Sequence, residues 1–404
     1  MENCVACGRE LPPFSPHSRC DDCRAAAPEF SPAAPARARL AAHRQWPITS
    51  ILVGLNVLVF AAMVLTGVSP MQPTSQQLLR WGANWGPLSL GSEPWRMLAS
   101  NYLHIGIFHI GLNMWCLWSL GRLAERIFVP WTYVLLYTCC GLAGSLGSLW
   151  WHPLVIGAGA SGAIFGLAGG LLAALYLGRL PIPKEALRGT MKSLLTFTGY
   201  NLFFGAIGAG IDNSAHIGGL LAGLALGAML ATTYRGESRE WWRRAAFAAM
   251  AMVLVVAFAA VKRSNGYVVP LQQGADALQK GRFDEAARAL EQVVAKRPQD
   301  TFALTLLGSA YLEKQDYAKA EGVLQRALQG HSDAGTLYNL GLAELRLGKP
   351  AQAVLSLQRA LQLDPNYADA EQALGEAYAA ANSPAQAAIA FKHAEELRKN
   401  RPSQ

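Results

Sequence analysis

Seven stretches of the chain are almost continuously apolar, at about residues 47–66, 104–121, 131–151, 161–178, 193–211, 215–233 and 245–261, and short polar loops separate most of them. Each is long enough, or nearly so, to cross a hydrocarbon core of about 30 Å as a helix. The shorter ones can tilt less or sit inside a bundle. Within the fourth stretch Gly162, Gly166 and Gly170 recur every four residues, the small-xxx-small pattern that lets membrane helices approach closely. The chain before residue 47 is polar, and beyond residue 264 it alternates charge with many Ala and Leu.

Composition agrees with a membrane protein. Of 404 residues 52% are hydrophobic and only 15% are charged, too apolar for an ordinary soluble domain. The first 263 residues carry 20 Lys/Arg against 11 Asp/Glu, whereas residues 264–404 carry 15 against 16. The basic surplus follows the flanks of the apolar stretches, so it reads as membrane topology and not as a nucleic-acid face. With the N-terminus inside, 16 basic residues face the cytoplasm, among them Arg122, Arg179, Lys184, Arg188 and Arg235. Only Arg80, Arg96, Lys262 and Arg263 fall on the other face ahead of residue 264. That asymmetry predicts a cytoplasmic N-terminus, in a multi-pass protein of a bacterial inner membrane. No secretory leader is expected, because the chain opens on a Cys-rich polar segment. Six crossings would return the chain to the cytoplasm. The seventh stretch, Ala245 to Val261, is short and rich in Ala, and it predicts that residues 264–404 lie outside.

The first 24 residues contain Cys4-x2-Cys7 and Cys20-x2-Cys23, twelve residues apart. Paired knuckles of this kind suit a tetrahedral structural zinc, with all four thiolates as ligands. The alternative is a pair of disulfides in an exported tail, which a reducing cytoplasm disfavours. Residues 25–45, rich in Ala, Pro and Arg, read as a flexible linker. Cys116, Cys139 and Cys140 lie in apolar stretches and read as small hydrophobes.

In the C-terminal third, Gly274, Gly308, Gly341 and Gly375 recur at 34, 33 and 34 residues, and Ala286, Ala320, Ala353 and Ala387 keep step. Leu307-Gly308-x2-Tyr311 and Leu374-Gly375-x2-Tyr378, with Pro298 and Pro365, resemble tetratricopeptide repeats. Four repeats are expected, starting near Tyr267, Thr301, Ala334 and Ala368. Such helix pairs stack into a solenoid whose concave surface binds a protein partner.

Polar groups inside hydrocarbon are costly and are usually functional or paired. The second stretch reads His104-Ile-Gly-Ile-Phe-His109-Ile-Gly-Leu-Asn113, with His109 and Asn113 on one helical face. The fourth opens on Gly159-Ala-Ser161-Gly162, and the sixth on Asn213-Ser-Ala-His216-Ile-Gly-Gly219. The topology makes all three run from outside to inside, so His109, Ser161 and His216 share one depth near the external face. A serine, an imidazole and His/Asn donors at one level are the parts of a serine hydrolase site.

These motifs are similar to those of the rhomboid intramembrane serine proteases over about residues 47–235. Trp95-Arg96 and Gly121-Arg-Leu-Ala-Glu125-Arg126 resemble that family too. The resemblance implies a Ser161 nucleophile and a His216 general base, a dyad without a carboxylate. It implies that His109, Asn113 and the Ser161 amide stabilise the oxyanion, and that Gly159 leaves room for the scissile backbone. Phe165 would face the His216 ring, Glu125 and Arg126 would pin the cytoplasmic loop, and Trp95-Arg96 would shape the external loop.

The sequence therefore predicts an all-α chain: a polytopic helical membrane bundle of six plus one transmembrane helices with a C-terminal tetratricopeptide solenoid. Its parts are a zinc-ribbon-like segment (1–24), a linker (25–45), a six-helix rhomboid-like domain (46–235), a seventh helix (236–263) and the repeats (264–404). Its expected activity is endopeptidase cleavage of transmembrane segments near the external membrane face, with the repeats recruiting substrates or partners and no catalytic cofactor. Two other readings fit less well: a non-catalytic membrane scaffold, and a transporter, for which no repeated halves or broken helices are seen.

Overall fold

A segment without water around it must satisfy every backbone N–H and C=O internally, and a helix does so within one stretch of chain. Each predicted apolar stretch contains a helix in the computed structural model, which describes residues 7, 10, 23, 48–178, 183–207, 211–231 and 240–400. The membrane bundle comprises α1 (Ile48–Leu65), the short α2 (Ser75–Trp81), α3 (Gly86–Ser89) and α4 (Arg96–Ala99), α5 (Ile107–Ile127), α6 (Pro130–Trp151), α7 (Ser161–Leu177), α8 (Lys184–Ile207), α9 (Asn213–Leu230) and α10 (Glu240–Asn265). The repeats follow as α11 (Val268–Gln279), α12 (Phe283–Lys296), α13 (Thr301–Glu313), α14 (Tyr317–Gly330), α15 (Ala334–Arg346), α16 (Pro350–Leu363), α17 (Ala368–Ala380) and α18 (Pro384–Lys399). All of α1–α18 belong to one compact unit, Ile48–Gln404. No strand occurs among the described residues; Asn84 and Gly157 form an isolated antiparallel bridge.

Four of the long helices, α1, α6, α9 and α10, are long and apolar enough to cross a membrane by length and composition. Helix α5 forms a 90° bent pair with the segment Arg96–Tyr102 before it. It starts at Ile107 and not at His104, because Gly106 has φ +92° and breaks the helical path. Helix α7 has only 17 residues, of which the 14 from Gly162 to Leu175 are buried. It is wrapped by other helices, so it needs no lipid-facing belt of its own.

The bundle is organised around α7, and the close approach of α9 to it is made by glycine. A Cβ added at Gly219, Gly223 or Gly227 would run into the carbonyl oxygen of Gly162, Gly166 or Gly170, respectively. The constant offset means that the two helices run parallel, in register over two turns, with backbone against backbone. On its other side Gly162 meets Gly144 of α6, and Cys140 fills the slot beside Gly166, which fits its reading as a small hydrophobe.

The loop between α1 and α5 is ordered by polar contacts that carry no periodic signal. Arg96 is 7% exposed; its guanidinium donates to the Leu79 carbonyl (2.6 Å) at the end of α2 and pairs with Glu93 (2.7 Å). The Trp95 ring lies against Gly82, whose φ of +100° ends α2. On the opposite end of the bundle Glu125 accepts from the Thr49 amide (2.7 Å) and so holds the start of α1 to α5. Arg126 makes no hydrogen bond or ion pair among the described residues, and the contact to the start of α1 comes from Glu125.

Helix α10 starts beside the end of α9, where Trp242 donates to the Met229 carbonyl (2.8 Å), and finishes beside the end of α6, where Asn265 donates to the Leu149 and Trp150 carbonyls (2.9 and 2.7 Å). It therefore runs the length of the bundle. Immediately beyond it Val268 is fully buried in a cluster with Leu90, Leu146, Leu149 and Val261. The first repeat helix, α11, is thus seated on α3.

The repeats are built alike. Gly274, Gly308 and Gly341 each lie against a leucine sixteen residues downstream, Leu290, Leu324 and Leu357, and Gly375 lies against Phe391. Absence of a side chain on the first helix of each pair admits the second, and Ala286, Ala320, Ala353 and Ala387 are buried at the crossing.

Candidate active site

Ser161 is the first residue of α7 and half-buried. The first N–H groups of a helix have no partner within it, and the helix dipole there favours negative charge. The segment leading to Ser161 is fixed by three backbone bonds: Gly157 exchanges a pair with Asn84 (2.9 and 2.8 Å), and the Gly159 amide donates to the Ser100 carbonyl (2.9 Å).

Gly159 has φ +142°, a conformation that side-chain-bearing residues rarely adopt. A Cβ there would lie 2.8 Å from Cε1 and 3.0 Å from Nε2 of His109, and 3.8 Å from Ser161 Oγ. The His109 ring and the serine hydroxyl thus share one small space over Gly159. The glycine makes room for the imidazole, a requirement that its expected role toward substrate did not anticipate.

The tautomer of His109 follows from its other nitrogen. Nδ1 accepts from the Ile105 amide (3.2 Å), so the neutral ring carries its proton on Nε2. A donor therefore points into the space beside Ser161. Asn113 is 7% exposed and donates from Nδ2 to the His109 carbonyl (2.9 Å). Its amide has a second N–H to offer. His104, fully buried, stacks edge-on against His109 at 5.2 Å.

His216 is the fourth residue of α9, one turn before Gly219 on the face that meets α7. Because Gly219 sits on Gly162, His216 lies at the level of Ser161. Its ring stacks on Phe165 at 4.2 Å and 8°, which fixes the imidazole plane. A cavity of about 40 Å³ adjoins Ser161 and is lined by Asn84, Ser145, Ser148 and Asp212, among others. That volume and polar lining suit a water molecule.

Of the predicted site residues, the structure gathers Ser161, His216, His109, Asn113, Gly159 and Phe165 at one end of α5, α7 and α9. Trp95, Arg96, Glu125 and Arg126 are not part of this group: Trp95 and Arg96 contact Gly82 and Leu79, and Glu125 bonds the Thr49 amide. Cys4 and Cys20 lie outside the described residues, and among those described no group of three or more His, Cys, Asp or Glu side chains is placed to hold a metal. Missed from sequence were the polar lining of the cavity and Asn213, whose spacing of three from His216 on one helix was the available signal.

Comparison with known proteins bears on the domains of the chain. Residues 91–233 match the family described as Rhomboid domain, and residues 271–335 and 334–367 match tetratricopeptide repeat families. The chain thus carries a rhomboid domain followed by tetratricopeptide repeats. It is 31% identical to Rhomboid protease GluP of Bacillus subtilis (strain 168) over 298 residues, covering 73% of this chain and 57% of that protein. It is 38% identical to RHOMBOID-like protein 4 of Arabidopsis thaliana, covering 35% of each. With Rhomboid protease AarA of Providencia stuartii it shares 29% identity, over 46% of this chain and 72% of the other. The chain spans a little over half the length of the Bacillus relative and about a third of the Arabidopsis one. A solved structure, MamA from Desulfovibrio magneticus RS-1, shares 24% identity over 42% of this chain and 96% of its own, at TM-score 0.34.

Proposed function

We propose that the chain is an intramembrane serine endopeptidase that cleaves transmembrane segments of membrane proteins near the external membrane face. The observation that carries this reading is the convergence at Gly159: a hydroxyl at a helix N-terminus, with an imidazole Nε2–H donor beside it and a second imidazole at the same level. Ser161 attacks the scissile carbonyl while His216 removes its proton, then returns it to the leaving amine. The developing oxyanion accepts from His109 Nε2–H, from the free N–H of Asn113 and from the Ser161 amide. Water reaches the acyl-enzyme from the polar cavity. The experiment that tests the reading is cleavage of a model transmembrane substrate by the purified chain in detergent or liposomes; a non-catalytic scaffold gives no product.

The oxyanion assignment has its own test. Loss of one such donor typically lowers turnover by about 10²–10³. His109→Ala is therefore expected to reduce kcat by that order and leave KM nearly unchanged, and Asn113→Ala to follow more weakly. If Asn113→Ala lowers the melting temperature with no defect in kcat, its bond to the His109 carbonyl is structural only.

Because α10 runs the length of the bundle, the repeats sit at the same end as Ser161. In the topology set by charge this is the external side, where they would recruit the extramembrane parts of substrates or partner proteins. The N-terminal segment then lies in the cytoplasm, and its Cys4-x2-Cys7 and Cys20-x2-Cys23 spacing supports a structural zinc. Elemental analysis of the isolated full chain is expected to give about one zinc per molecule, from the ligand count. Disulfides at these cysteines, with no metal, would reverse both the site and the sidedness.

A further inference from the structure

One ring nitrogen of His216, Nδ1, is engaged by a side chain outside the dyad. Asn213 Oδ1 lies 3.3 Å from His216 Nδ1, and Asn213 Nδ2 donates to the Leu202 carbonyl of α8 at 2.9 Å. A carbonyl only accepts, so the nitrogen end of the amide belongs at Leu202 and its oxygen must face the imidazole. An amide oxygen only accepts too, so Nδ1 carries the hydrogen and Nε2 keeps its lone pair. That is the tautomer a general base needs.

We infer that Asn213 is a positioning residue for the proposed protease: anchored to α8, it fixes the tautomer and the rotation of the His216 imidazole. The role rests on the protease reading above. Phe165 holds the plane of the ring by stacking, but stacking leaves the ring free to turn within that plane. Asn213 removes this freedom. The site is shaped for it from α8, since a Cβ at Gly205 would run into the amide oxygen of Asn213. Helix α8 buries only Leu194, Thr198 and Gly205, so Gly205 marks one of the few places where it is closely seated.

A residue that merely ties α8 to α9 would rely on the bond to Leu202, whereas a positioning residue relies on the bond to His216. Aspartate separates the two, because it can accept from Nδ1–H but cannot donate to Leu202. The measurements are kcat and KM for a model transmembrane substrate, the rate at which a fluorophosphonate probe labels Ser161, and the melting temperature, all on the full chain in detergent. The probe reports activation of the serine without entry of a helix. Asn213→Ala is expected to lower kcat and labelling about tenfold, the loss of one neutral hydrogen bond of ordinary strength, with KM little changed. Asn213→Asp is expected to recover most of that loss even if its melting temperature falls. Gly205→Ala crowds the amide oxygen without touching the site; it should lower kcat in the wild-type background and add nothing to Asn213→Ala. This variant carries the test if Asn213→Ala does not fold. Unchanged kcat and labelling in Asn213→Ala, or an Asp variant no better than Ala, overturns the role. A wild-type chain that neither cleaves nor takes up probe at Ser161 overturns the protease reading and the role with it.

Discussion

Ser161→Ala is expected to abolish cleavage while leaving the bundle folded. The substitution replaces one small half-buried side chain with another at the first position of α7, where no glycine contact is disturbed. His216→Ala should do nearly as much, because nucleophile and base act as a unit and their losses do not add. When such a unit is broken, losses of about 10⁴-fold or more are typical, and the remaining rate comes from binding and the oxyanion donors. Single-turnover cleavage in liposomes, with melting temperatures in parallel, checks this. Strong residual cleavage by both single variants would sink the dyad. A chain whose cellular function survives Ser161→Ala would be a scaffold instead.

The second large effect concerns folding. Gly219→Ala is expected to destabilise the bundle by at least the roughly 1–3 kcal/mol typical of overpacking, and Gly219→Leu to prevent assembly. The added carbon has nowhere to go: it would meet the Gly162 carbonyl, a backbone atom that no rotamer change can move. The helices must separate, and the glycine contacts at Gly223 and Gly227 open together with it. Gly199 in α8 and Gly111 in α5 provide the contrast, since a Cβ at either has nothing within 4 Å. Alanine there should be neutral or stabilising by up to about 1 kcal/mol, the usual helix preference. Melting temperatures of the three Ala variants decide the matter; equal shifts would mean that backbone contact between α7 and α9 does not hold the bundle.

These two effects also mark what the sequence could reveal. The spacing of Gly162, Gly166 and Gly170 announced a close helix contact, and His109, Ser161 and His216 could be set at one depth by counting charges. The repeats were legible because the same glycine–leucine contact recurs with the chain's own period. Short helices α2–α4 were not legible: capping by Thr74, the guanidinium bonds of Arg96 and the turn at Gly82 order them, and none leaves a periodic trace. Neither was the role of Gly159 toward His109, or that of Glu125 toward the Thr49 amide, because each joins residues far apart in the chain. Helix ends shifted for local reasons: α5 is delayed by Gly106, and α8 begins at Lys184 because a helix can continue into water with charged residues.

The junction of bundle and repeats has a mechanical consequence. Only Gly266 and Tyr267 separate α10 from α11, and Val268 is packed among bundle side chains. A flexible tether of about 20 residues would let the array wander over roughly 25 Å and would present a bound protein to Ser161 over a range of distances. With no slack, the effective concentration of a bound partner's membrane segment is high only where its length matches the fixed offset, and near zero elsewhere. Under the recruitment proposed above, the joint acts as a ruler and not as a leash, selecting partners by how far their recognised segment lies from the membrane.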